Sequence, residues 1–155
     1  MHRMCVKKNI EVGLALCAAD KRISLYRHPI TTDNVIEDTC LLALTVRRNG
    51  LYSCISRMVS LSTPSEELLK KRDAVLAVDC ACQEYTKVGS NLRGVFNKIK
   101  DVYKDNGFEE EWKNHHQGGI SGYMGREEKI NQDTDISIED NMIFAYNPTV
   151  IGYRL

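Results

Sequence analysis

The chain lacks an excess of charge of either sign: 21 lysines and arginines stand against 21 aspartates and glutamates in 155 residues. A balanced chain has no broad electrostatic footprint for nucleic acid or an anionic membrane, so neither is expected as a partner. It also lacks any apolar run near the roughly 18 residues that would cross a bilayer, and no clean apolar segment follows Met1-His2-Arg3 as a secretion signal would. On these absences the chain reads as soluble and cytoplasmic. A CxxC pair is missing too. The six cysteines, at positions 5, 17, 40, 54, 80 and 82, are scattered through apolar runs, which suits reduced core thiols better than disulfides. Cys80 and Cys82, two residues apart on an expected helix, point to different sides and cannot easily share a zinc ion. No internal repeat or low-complexity tract is visible, and the length suits one domain over 1–155.

Against these absences, one segment is rich in chemistry. Asn114 to Glu127 combines the paired imidazoles of His115 and His116, an expected turn at Gly118-Gly119 and an acidic end. Histidine titrates near neutrality and binds metals, and glycine lets backbone approach a ligand closely. The segment is therefore either a site or a Gly-rich hairpin with two surface imidazoles.

The rest of the chain supplies a frame. Residues 11–18 form a short apolar run, read as a buried strand, that charge interrupts at Asp20-Lys21-Arg22. Arg27 to Asp33 carries proline and small polar residues, as a loop does. Cys40 to Val46 and Leu51 to Leu61 are rich in β-branched and apolar residues and flank Arg47-Arg48-Asn49-Gly50. An Asn-Gly between two such runs signals a hairpin, since both residues accept positive φ. Thr63-Pro64-Ser65-Glu66 offers a cap hydroxyl, a proline for the first helical position and a capping-box glutamate, so a helix is expected over 64–86. Its apolar side runs through Leu68, Val75, Val78 and Cys82. A second helix, over 90–106, carries Leu92, Val95, Phe96, Ile99, Val102 and Tyr103 at spacings of three and four, until Asn106-Gly107 stops it. Each helix has one apolar side and is expected to pack on the hairpin sheet. Residues 141–146 read as a further strand ended by Asn147-Pro148. The order of strands, then helices, then strands predicts an α+β fold with a curved antiparallel sheet and two covering helices.

The combined order of Asn49 to Arg57, the two helices, His115-His116-Gln117-Gly118-Gly119 and Met142 to Pro148 resembles the pita-bread metallopeptidases, among them Xaa-Pro aminopeptidase, prolidase, methionine aminopeptidase and creatinase. Trp112 to Gly122, with Arg126-Glu127 and Asn147-Pro148, is most similar to an Xaa-Pro aminopeptidase-like branch, and the resemblance spans about residues 11–152. It implies a creatinase/aminopeptidase-like fold, incomplete here, whose parent reaction removes the N-terminal residue of a peptide with two divalent metals, Mn²⁺ or Co²⁺, held by five side chains. Carried over residue by residue, most ligands are missing. Ala43 and Cys54 stand where the family has two aspartates, His116 (or His115, with a slip of one) matches the histidine ligand, and Asn147 replaces a glutamate. The fifth ligand belongs to a closing strand that would lie beyond Leu155. Two-metal hydrolysis needs several anionic ligands around a bridging hydroxide. The residual positions Cys54, His116 and Asn147 do not supply them, so no cofactor is expected and hydrolysis by this chain alone is not expected either. The chain reads as a decayed relative or as a partial copy of a larger protein.

Other residues keep two readings each. His115 or His116 with Cys54 could hold one soft metal, or could fasten the Gly-rich segment. His28 resembles a histidine that family members place near the substrate carbonyl, or is a loop imidazole. Tyr123 stands where the peptidases carry a second histidine, and its phenol can donate a hydrogen bond. Gly118 and Gly119 are candidate backbone contacts to substrate. Arg126 is a candidate carboxylate clamp, or part of a solvated strand end through Lys129. Lys70-Lys71-Arg72 reads as a solvated helix face. The expected partners are a small peptide and either a second copy or another chain completing the sheet, because an open sheet edge exposes unpaired backbone groups.

Overall fold

The computed structural model describes residues 2–154. Asn49 (φ 52°) and Gly50 (φ 87°) both adopt the left-handed backbone that a two-residue hairpin loop needs. They join Thr39–Arg48 (β2) to Leu51–Ser60 (β3) in an unbroken antiparallel register from Thr39 opposite Ser60 to Arg48 opposite Leu51. Glu11–Ala19 (β1) adds to the other side of β2, with a bulge between Val12 and Leu14. It is an edge strand rather than a buried one. Leu16 and Ala18 alone are fully buried along it, two residues apart and so on one face of the sheet. Two five-residue helices that no sequence signal marked, His2–Val6 (α1) and Lys21–Leu25 (α2), flank β1.

The helix Glu66–Tyr85 (α3) begins two residues later than its cap signals suggest. Ser65, in extended backbone, accepts from the Leu68 N–H at 3.2 Å and so takes the capping role expected of Thr63. Asn91 caps Leu92–Asp105 (α4) through the Arg93 N–H at 2.9 Å, and Gly107 (φ 80°) follows its end. A 3-10 turn, Glu111–Asn114, leads into Gly118–Ser121 (β4). Here the structure departs from expectation. Gly118 and Gly119 do not form a turn; they lie inside β4, the middle strand of a second antiparallel sheet between Glu128–Lys129 (β5) and Ile143–Tyr146 (β6). Thr149–Val150 (β7) and Tyr153–Arg154 (β8) close the described chain as a small ribbon.

The two helices also cover a different sheet from the one expected. Val75, Val78, Leu92, Val95, Ile99 and Tyr103 share one buried cluster with Ile130, Ile138 and Val150, flanked by Ile120, Phe144, Tyr146 and Tyr153. That cluster draws on the second sheet and the ribbon. The hairpin sheet has its own small cluster of Ala18, Ile23 and Leu41, with Met58 against it. An amphipathic stripe reports that a face is buried but not which partner buries it. The fold is α+β and antiparallel throughout, as predicted. No described helix is long and apolar enough to cross a membrane.

Candidate functional site

The two sheets meet around one cavity. In the β2–β3 register Ala43 faces Ser56 and Thr45 faces Cys54, and residues two apart on a strand share a face, so these four side chains form one patch. The patch floors a cavity of about 220 Å³ whose walls bring in His28, His115, His116, Arg126, Asn147 and Arg154. The candidates His28, His115, His116, Cys54, Arg126 and Asn147, separated by up to 119 positions (147 − 28), are thus gathered at one place. Tyr123 is not among them. It is 74% exposed on the turn after β4, with its ring about the hairpin loop at Gly50. Gly118 and Gly119 do not line the cavity either, being buried in strand pairing.

The histidine pair is held by a buried network. Gln117, 2% exposed, donates from Nε2 to the carbonyls of Trp112 (3.1 Å) and His115 (2.7 Å). The Tyr103 hydroxyl accepts from the Thr149 N–H at 2.8 Å and lies 3.1 Å from both Gln117 Oε1 and the Thr149 carbonyl, its one hydrogen serving either. The Asn147 N–H donates to the Gln117 carbonyl at 3.1 Å. Residues 115–117 and 147–149 are therefore fixed to each other through α4. No local signal marked Gln117 or Tyr103 for this task.

The imidazoles are crowded and neutral. The His115 ring stacks on His116 (centroids 4.4 Å apart) and tilts against His28 (5.5 Å). Burial first, then His116, Arg27, Arg154 and His28, pushes His115 down to about 3. Burial and then Arg126, Lys129 and His28 push His116 down to about 4. His28, the most exposed of the three, is also lowered, by burial and by Arg154 and Arg27. These two half-buried rings therefore stay unprotonated at pH 7, while in the unfolded chain they titrate near 6.5. Below about pH 6.5 the unfolded state binds more protons than the folded one, so stability is full above that pH and is lost as the pH falls toward about 4. Thermal melting followed from about pH 7.5 to about pH 4.5 is expected to show this loss, and His115→Gln should flatten it; equal slopes in parent and variant would contradict the assignment.

Arg126 is not the solvated strand end that the charge run suggested. Its Nη2 donates to Asn147 Oδ1 at 2.7 Å, and its Nη1 contacts the Gly125 carbonyl and Cys54 Sγ, the latter at 3.5 Å. Cys54 Sγ also accepts from Thr45 Oγ1 at 3.5 Å, and the Asn147 amide nitrogen lies 3.3 and 3.4 Å from the two ring nitrogens of His116. The guanidinium sits among Cys54, Asn147 and, through Asn147, His116.

Residues 8–154 match the pattern of metallopeptidase family M24. The chain belongs to that family. Among solved structures it is similar to the X-Pro aminopeptidase from Thermotoga maritima MSB8 (20% identity, TM-score 0.85, 99% of this chain and 46% of that one). It is similar also to the prolidase from Pyrococcus furiosus (20%, TM-score 0.77, 86% and 40%). A third similar structure is the N-terminal domain of FACT complex subunit SPT16 from Cicer arietinum, chickpea (16%, TM-score 0.74, 90% and 34%). The chain spans less than half the length of each. Comparison with curated proteins finds no match. The pita-bread expectation drawn from the hairpin, the helices and the His-His-Gln-Gly-Gly run therefore holds.

Membership of a metallopeptidase family makes the cavity's donor atoms decisive for metal binding. Ala43 offers no donor atom, Cys54 Sγ is engaged by Thr45 and Arg126, and Asn147 is a neutral amide held by Arg126. Among the described residues no three His, Cys, Asp or Glu side chains come close enough together to hold an ion. A paired Mn²⁺ or Co²⁺ centre of the hydrolytic kind needs anionic oxygen ligands, so the donor set here does not fit it. The soft alternative, His115 or His116 with Cys54, meets the same guanidinium.

Proposed function

We propose that this member of the metallopeptidase family retains the family's cleft without its metal-dependent hydrolysis, and serves as a metal-independent binding module for a small peptide. The observation that carries this reading is the position of Arg126, whose guanidinium contacts Cys54 and Asn147, two of the positions that the family resemblance gives to ligands. A divalent ion about 4 Å from a guanidinium would be repelled by about 8 kcal/mol at an effective dielectric of about 20, so the arginine must leave before the metal arrives. Fold alone does not demand catalysis, since one fold hosts many functions. A domain of a complex subunit is among the structures similar to this one. In this reading His28, His115 and His116 act as neutral walls and hydrogen-bonding groups rather than as ligands or bases. The test is release of the N-terminal residue from an Xaa-Pro peptide with Mn²⁺ or Co²⁺ present. The chain is expected to give no release above buffer, and robust metal-dependent cleavage would refute the reading.

A second role, assembly, is favoured by the outer face of the hairpin sheet. Ile55 and Val59, on the face of β3 opposite to Cys54 and Ser56, are 47% and 42% exposed, and β1 and β3 are the outer strands of a three-stranded sheet. A second copy of the chain would cover that face. Light scattering is expected to give a dimer that Ile55→Lys dissociates, and a monomer at high concentration would remove this role.

A further inference from the structure

We infer that the cavity is a binding site for a small oxyanion, a carboxylate or a phosphate, seated against the guanidinium groups of Arg126 and Arg154 and the imidazole of His115. The inference rests on the metal-free reading of the same cavity and adds the chemistry of its ligand. Its lining contains two arginines and three histidines and no aspartate or glutamate. Arg126 is half-buried, yet among the described residues no carboxylate lies within salt-bridge distance of it. Its partners are an amide oxygen, a carbonyl and a thiol sulfur, all uncharged. A cation partly removed from water without a counter-charge is costly, and an entering anion relieves that cost.

Two buried polar atoms lack partners here, Arg126 Nε and His115 Nδ1. Nε–H is a donor, and Nδ1 becomes one in the appropriate tautomer, so both suit the lone pairs of an oxyanion. The wider field agrees. Arg27, Arg154, Arg126 and Lys129 all act on the two histidines as positive neighbours. The nearby carboxylate, Glu111, acts on Arg27, and its Oε2 accepts from Asn114 Nδ2 (3.1 Å) and the Ile151 N–H (3.3 Å) instead of lining the cavity. The volume, about 220 Å³, is several times the roughly 30 Å³ that one water occupies in the liquid, so a carboxylate or phosphate fits with part of the molecule that bears it.

The test is a titration of the full chain followed through its imidazole nuclear magnetic resonance signals at constant ionic strength, with chloride as the balancing ion. The probes are inorganic phosphate, acetate and a dipeptide with a free or an amidated C-terminus, with Mn²⁺ in a parallel sample. Saturable shifts of the His115 and His116 signals are expected, with affinity weakened about tenfold or more in Arg126→Gln and, independently, in Arg154→Gln. Tighter binding of the free-carboxylate dipeptide than of acetate or the amide would place the oxyanion at a peptide end; tighter binding of phosphate would make it a phosphate. Absence of saturable shifts with every oxyanion, or unchanged affinity in both folded variants, would overturn the inference. Manganese broadening of the same signals would instead overturn the metal-free reading beneath it, so the two failures are distinct.

Discussion

Replacing Gly119 or Gly118 by alanine is expected to lower the melting temperature by roughly 10 °C, because either change costs about 3 to 5 kcal/mol in backbone strain and overpacking. Gly119 has φ 146° and a Cβ there would lie 2.0 Å from the Glu128 carbonyl oxygen; Gly118 has φ 108° and its Cβ would lie 2.2 Å from that of Ala145. Both obstacles are backbone of the paired strands β5 and β6, which cannot swing aside as a side chain would. Gly94 is the control. It sits in α4 with nothing within 4 Å of a Cβ, so Gly94→Ala should raise stability by roughly 0.5 to 1 kcal/mol. Thermal melting of the three variants checks the claim, and a Gly119→Ala protein as stable as the parent would show that strand pairing at β4 is not as tight as described.

Tyr103→Phe is expected to cost about 2 to 3 kcal/mol, more than the loss of one ordinary hydrogen bond, because two groups are left without partners in the interior. Tyr103 is completely buried, and its hydroxyl serves the Thr149 N–H and Gln117 Oε1. The aromatic ring fills the same space in the variant, so packing in the helix cluster is unchanged and the deficit is polar. The loss should extend to the cavity, since Gln117 holds the His115 carbonyl and Thr149 follows Asn147 closely in the chain. Amide hydrogen exchange at residues 115–117 and 147–149 is expected to accelerate in the variant beyond what its global stability accounts for. Exchange that accelerates uniformly across the chain would mean that Tyr103 supports the core only.

The residues differ in how much of this they disclosed locally. Asn49-Gly50 was legible because positive φ at two successive positions is a requirement that few residues meet, and the requirement is confined to the loop itself. The α4 stripe was legible for the same reason: the spacing that buries Leu92, Val95, Ile99 and Tyr103 is a property of one helix. Gly118-Gly119 was misread as a turn because glycine's freedom serves a turn and a close approach of strands alike, and only the strands 128–129 and 143–146 distinguish them. The sheet beneath the helices was misassigned because a stripe carries no address. His28, His115 and His116 were flagged by residue type and do line one cavity. The role of Arg126 was hidden in a charged run, since its contacts Asn147 and Cys54 lie 21 and 72 positions away. Arg154 carried no signal at all, and Gln117, though part of the His-His-Gln-Gly-Gly run, carried none for its buried bonding role, both being meaningful only through neighbours that folding brings to them.

A guanidinium stands among the positions that the family resemblance gives to metal ligands. Whether it excludes an ion is read from the melting temperature of the chain, and of His116→Ala, with Mn²⁺ or Co²⁺ at millimolar concentration against chelator. An ion binding only the folded state at about a hundredfold over its Kd would add about 2.7 kcal/mol, or roughly 5 to 10 °C for a chain of this size. Identical melting in metal and chelator is the result predicted for both proteins; a rise of several degrees with Mn²⁺ that disappears in His116→Ala would contradict the account and show a hard-metal site at the cavity.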